Sequence, residues 1–140
     1  MLRASEKVAV SLVAEVAGTV VGHVLFSPVS VHPPLGATPG VGLGPLAVLP
    51  GQRRRRIGAS LVEVGLESCR RAGAAFAVVL GDPGYYARFG FRHARSAKLG
   101  NEYGADQEFM VRELQAGALA SVSGIVRYAP EISTVGANPS

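Results

Sequence analysis

The sequence holds a single cysteine, Cys69, and charged residues make up only 17% of it. One cysteine excludes an internal disulfide and any metal site built from cysteines. Three scattered histidines, His23, His32 and His93, show no ligand spacing of the H-E-x-x-H kind, so no metal is expected. Low charge beside 48% apolar residues is the reverse of a disordered composition. Gly and Pro, at 18 and 9 residues, interrupt nearly every segment and exclude a long coiled coil. No apolar run approaches the ~20 residues that span a bilayer. The opening MLRASEKVAV lacks the apolar core and cleavage pattern of a signal peptide. A cytoplasmic protein with no membrane partner is the expectation. At 140 residues it reads as one domain over 1–135, followed by a disordered tail over 136–140.

What is abundant is arginine. Twelve of the fourteen basic residues are Arg, and four stand together at Arg53–Arg56. A planar guanidinium pairs well with phosphate or carboxylate. Upstream, residues 8–17 and 19–31 are β-branched runs divided by Gly18, the pattern of two strands joined by a tight turn. A Pro/Gly loop over 32–40 follows, then a nearly continuous apolar strand, VGLGPLAVLP, over 41–50. Pro45 cannot donate to a ladder, so a bulge or a local splay of the sheet is expected there.

Beyond the arginines, residues 57–73 predict an amphipathic helix with Ile57, Leu61, Val64 and Ser68 on one face. Val62, Leu66 and Cys69 widen that face, which assigns Cys69 to the core. Gly73 supplies the stop, and Glu67 stands four residues before Arg71 in the favourable order. Residues 74–80 read as a buried strand. Asp82 and Pro83 then suit the N-cap and first position of a short helix. Further strands are expected from Phe91 and over 108–114. Strands alternating with helices around a central sheet make the fold class α/β (α+β).

The chemistry concentrates where strand 41–50 runs through the arginines into the helix. A helix N-terminus offers unpaired N–H groups and partial positive charge, which suit a phosphate. Flanking arginines extend this to more than one anionic group. Gly58 allows close approach to the helix backbone. The competing readings are a solvated arginine loop and a nucleic-acid surface. Against the latter, the cluster is short and no stacking aromatics accompany it, so no nucleic-acid partner is expected.

Three segments give the chain a resemblance to the GNAT superfamily of N-acetyltransferases. LGPLAVLP (43–50) is similar to the strand that receives the pantetheine arm. Arg53 to Gly58 lies over the Q/R-x-x-G-x-G/A loop, and GDPGYYARFGF (81–91) resembles a motif of a bacterial subgroup of small acyltransferases. Residues 117–131 are also similar to that subgroup.

The resemblance implies a splayed central sheet with acetyl-CoA as acyl donor and an amine, of a small molecule or a protein, as acceptor. It implies cofactor contacts at Leu46, Ala47 and Val48, at Arg53, Arg54, Arg55, Arg56, Ile57 and Gly58, and at Gly81 and Asp82. It makes Tyr86, four residues before the Gly of FGF, the general acid for the departing thiolate. Tyr85 is expected as core or acceptor-pocket wall, and Arg88 as a surface or capping residue.

Arg56 replaces the loop's usual central glycine, so its Cβ crowds the diphosphate or its guanidinium reaches it; both stay open. No glutamate lies in strand 41–49, where several relatives carry a base. That leaves water, a backbone carbonyl, His23, His32 or Glu102. Relatives also begin with a strand and helices ahead of this hairpin. The chain is thus expected to be short at its front, either because its start is misassigned or truncated or because it is a reduced member, its acceptor wall restored by a homodimer or missing. In the latter case it is a CoA-binding module without turnover.

Overall fold

The computed structural model describes residues 9–32 and 38–128, with backbone alone at Arg53, Arg54, Arg55 and Ser121. The tail over 136–140 lies outside the described residues.

Strand β1 (Val10–Val16) alternates half-buried Val10, Leu12, Ala14 and Val16 with exposed Ser11, Val13 and Glu15. This is the period-two pattern of a strand with one wet face. It turns through Ala17 and Gly18, both at positive φ (52° and 82°), into β2 (Thr19–His32). Two left-handed residues are what a two-residue hairpin turn requires. β2 pairs with β1 through its first half and with β8 (Gly124–Tyr128) through Val29–His32, on the same edge. Its other edge pairs antiparallel with β3 (Gly40–Val48).

α1 (Ile57–Arg71) ends at Ala72, followed by Gly73 at φ 104°. It returns the chain to β4 (Phe76–Leu80), parallel to β3. A one-turn helix, α2 (Pro83–Tyr86), leads to β5 (Arg92–His93), then β6 (Leu99–Asn101) and β7 (Phe109–Glu113). The described residues form one mixed sheet in the order β5-β7-β4-β3-β2-β8-β6, with β1 beside β2. The expected fold class holds.

One face of the sheet packs on α1 around Val24, Phe26, Leu61, Val62 and Leu66. The other closes over Phe76, Phe109, Val126 and Tyr128 beneath short 3-10 turns at 94–97 and 118–121. Gly65 sets the seating of α1, because the Phe26 ring occupies the space where a Cβ at that position would stand. The buried stripe is therefore centred on Gly65 and includes Ile57, Leu61, Val62, Leu66 and Cys69.

This corrects the sequence reading at Val64, which is 54% exposed. Two further corrections concern strands. The strand expected from Phe91 is only two residues long before a 3-10 turn, and β6 and β8 escaped notice. β6 is too short to show a period, and partners distant in sequence define both.

Candidate functional site

β3 and β4 pair from Gly40↔Phe76 to Leu43↔Val79 and no farther. β3 nevertheless continues, paired to β2 through Leu46↔Val24, Ala47↔His23 and Val48↔Gly22. Pro45 has no N–H to give, and the β2–β3 register shifts between Val24 and Phe26, opposite that point. The expected splay is thus present. Beyond Leu43 the edge of β3 that faced β4 carries no strand among the described residues. Leu46, Ala47 and Val48 line it.

The splay opens beside the start of α1. A 3-10 turn over Pro50–Arg55 delivers the chain to Arg56, which caps the helix with φ 59° and ψ 24°. That left-handed conformation is one glycine adopts without strain. Arg56 therefore holds a backbone shape that glycine would hold without strain. Its guanidinium leans 3.7 Å from Glu63 on the exposed helix surface. Ser60 N–H donates to Arg56 O in the first intrahelical bond, so the N–H groups of Ile57, Gly58 and Ala59 have no acceptor within the helix.

Among the described residues no side chain caps these groups, and no carboxylate lies in the first turn. The Ile57 side chain is buried toward Gly22, so this residue offers the site its backbone. Gln52, in the preceding turn, has a buried carboxamide oxygen with no partner among the described residues. The side chains of Arg53, Arg54 and Arg55 lie outside the described residues.

α2 forms the opposite wall. Asp82 Oδ1 accepts a hydrogen bond from Gly84 N–H at 3.1 Å, and Pro83 follows, as N-cap and first helical residue should. Tyr86 packs edge-on against Tyr85 and Phe91, with Cε2 2.6 Å from the Cβ position of Gly81. Gly81 thus gives up its side-chain space to this ring. Burial pushes the Tyr86 phenol up to about 12.

Tyr85 is the residue that sequence reasoning undervalued. Its hydroxyl reaches across the splay to α1, 3.1 Å from the Cβ position of Gly58, where Val48 Cγ2 stands at 3.6 Å. Arg88 lies over the Tyr85 ring at 5.0 Å. Burial raises the Tyr85 pKa, while the Arg88 and Arg56 charges lower it. The adjacent tyrosines in YY were the available signal, but only the packing separates their directions. Cys69 is fully buried, and its thiol is pushed up to about 12 by desolvation.

Of the other candidates, His23 pairs with Ala47 of the open edge, while His32 and Glu102 fall elsewhere. His23 bonds Ser11 Oγ at 3.2 Å, on the strand face opposite α1 and across from Ala47. His32 bonds Ser30 Oγ at 3.0 Å near β8, and Glu102 follows β6. An open cleft of about 400 Å³, lined by Arg92, Ser96, Lys98 and Glu113 among others, lies near the β5 edge and away from the splay. Among the described residues no three His, Cys, Asp or Glu side chains gather as a metal site, and no helix is long and apolar enough to cross a membrane.

Fold and site together define a class: a mixed-sheet domain whose central parallel pair diverges beside the uncapped end of its long helix. The chain belongs to the GNAT acetyltransferase family, since the family model described as an acetyltransferase (GNAT) domain matches residues 3–94. It is 40% identical over 112 residues to the uncharacterized N-acetyltransferase YhbS of Escherichia coli K12, spanning 79% of this chain and 66% of that protein. The crystal structure of E. coli YhbS in complex with CoA superposes with a TM-score of 0.82 at 38% identity, covering 88% of this chain and 68% of that one. A GNAT acetyltransferase from Brucella melitensis in complex with acetyl-CoA gives 0.68 at 37% identity, covering 91% and 71%.

Proposed function

We propose that this chain is an acetyl-CoA-dependent N-acetyltransferase that acts on a small-molecule or protein amine. The observation that carries the reading is the divergence of β3 and β4 directly beside the uncapped N-terminus of α1. One end of the gap offers N–H groups of Ile57, Gly58 and Ala59 to a diphosphate. The open edge at Leu46, Ala47 and Val48 offers amide and carbonyl groups to an extended pantetheine chain. The similar E. coli and Brucella structures hold CoA and acetyl-CoA.

On this reading the acceptor nitrogen attacks the thioester carbonyl carbon. The C–N bond forms, the C–S bond breaks, and the excess proton on nitrogen ends on the CoA sulfur. Backbone N–H groups of β3 stabilise the oxyanion. Tyr86 stands beside Gly81 at the end of β4, on the rim of the gap. At about 12, its phenol keeps its proton against a thiol near 8.5. Its role is therefore to donate a hydrogen bond to the leaving sulfur, while the product nitrogen supplies the proton. Tyr85 flanks the path between pantetheine and diphosphate.

A melting experiment with acetyl-CoA at ~100 µM tests the reading: a Kd near 1 µM corresponds to roughly 2.7 kcal/mol of stabilisation. No rise in melting temperature removes it. Thiol release on addition of primary amines separates an acetyltransferase from a bare CoA-binding module.

A further inference from the structure

β1 is the outermost strand beside the first half of β2. It pairs with β2 alone, and no described residue bonds the backbone of its other edge. β8 shares that side of β2 only at Val29–His32, and β6 lies beyond β8, so neither reaches the hairpin. Such an edge leaves the N–H and C=O of alternate residues unpaired, a template for a further strand. Pro and Lys commonly blunt an edge; β1 (VSLVAEV) has neither, and its single charge is Glu15. The strand alternates without a break, because the register shift at Ala14/Glu15 is taken up on β2 by Val21. Val10, Leu12, Ala14 and Val16 pack against the α1 core yet stay half-buried, and Val13 on the other face is 56% exposed.

We propose that β1 pairs antiparallel with β1 of a second copy of this chain, about a two-fold axis at Val13. A two-fold interface matches one patch to itself, and in this register the strand is complementary to itself. Val10 opposes the partner's Val16 and Leu12 opposes the partner's Ala14, which covers the half-buried row of both copies. On the other face Val13 meets the partner's Val13, and Ser11 meets the partner's Glu15. His23 Nε2 lies 3.2 Å from Ser11 Oγ. A ring N–H donated to that oxygen leaves the hydroxyl proton for the partner's carboxylate. The one charge on each strand is thus matched. Other axes overlap fewer of the seven residues, and one at Glu15 sets two carboxylates opposite each other, which is unfavourable. The two sheets run on as one across the axis.

Light scattering on the whole chain at roughly 100 µM tests the pairing, and a dimer is the expected mass. Val13→Lys places two cations across the axis and Val13→Glu two carboxylates, so each alone is expected to be monomeric. An equal mixture of the two is expected to restore dimers. Because Val13 is exposed, both variants are expected to keep the wild-type stabilisation by CoA. Under oxidised glutathione Val13→Cys is expected to cross-link the copies, since the axis brings the two Cα atoms within disulfide range. Glu15→Cys is expected to stay unlinked, because position 15 stands about 14 Å from its own mate. A wild-type monomer overturns the proposal, as does a dimer that Val13→Lys leaves intact or that links through Glu15→Cys. Absence of CoA stabilisation in a dimeric wild type would remove the acetyl-transfer reading and leave the pairing standing.

Discussion

The Tyr85 hydroxyl and the Gly58 backbone meet across the gap between α2 and α1, 3.1 Å apart measured to the Cβ that Gly58 lacks. A methyl group there must push the phenol aside while also touching Val48 Cγ2 at 3.6 Å. In Gly58→Ala the fold is expected to survive, because the Tyr85 side chain is half-buried and can turn. Acetyl-CoA affinity is expected to fall about tenfold, so that stabilisation at ~100 µM drops from roughly 2.7 to roughly 1.4 kcal/mol. Unchanged stabilisation in this variant would show that the ligand does not pass this point.

Tyr86→Phe removes the proposed hydrogen bond to the leaving sulfur and keeps the ring that fills the space above Gly81. Turnover is expected to fall by about 10²-fold, with acetyl-CoA binding retained. Because the phenol is held up to about 12, tyrosine ionisation contributes no alkaline limb to wild-type activity below about pH 10. A rate that declines through pH 8–9 (about the free thiol range) in wild type, and not in Tyr86→Phe, would contradict this.

Alkaline pH should weaken the fold. Cys69 rises from 9.0 to about 12 and Tyr86 from 10.0 to about 12 on folding, both through burial. Between the unfolded and folded values the native state binds more protons than the unfolded chain, so stability falls as pH rises. The contribution is complete below about pH 9 and is lost toward pH 12. Melting temperature measured from pH 8 to pH 11 (about the span that brackets these titrations) is expected to drop, less steeply in Cys69→Ala. Equal slopes in the two proteins would remove Cys69 as a source.

Arg56 adopts a left-handed conformation at the start of α1, and its ion pair with Glu63 is long and exposed. Such pairs contribute little, whereas a left-handed non-glycine residue costs about 1–2 kcal/mol. Arg56→Gly is therefore expected to raise the melting temperature by about 3 °C. A fall on thermal denaturation would mean that the side chain contributes more than its backbone costs.

Much of the architecture is legible in the order of the residues. Alternation across Gly18 specifies the first hairpin, and the Gly73 stop bounds α1. Asp82 and Pro83 start α2 by a local cap, while Pro45 marks the splay by lacking a donor. Each is a short-range rule in which neighbours in sequence are the interacting partners. The seating of α1 is different. The sequence itself favours the face through Gly65, beside Leu61, Val62 and Cys69, over one through Val64, beside Ser60, Glu67 and Arg71, but how closely that face approaches the sheet falls to the Phe26 ring, which needs the missing Cβ of Gly65.

The candidate site divides along the same line. One cysteine, little charge and one arginine cluster narrowed the chemistry to an anion-ended ligand at a strand-to-helix junction, because composition and helix-end electrostatics act locally. Tertiary packing alone decided that Tyr85 reaches Gly58 while the Tyr86 ring packs over Gly81. Side-chain direction depends on which neighbour leaves room, and here the room is left by glycines whose occupants come from elsewhere in the chain.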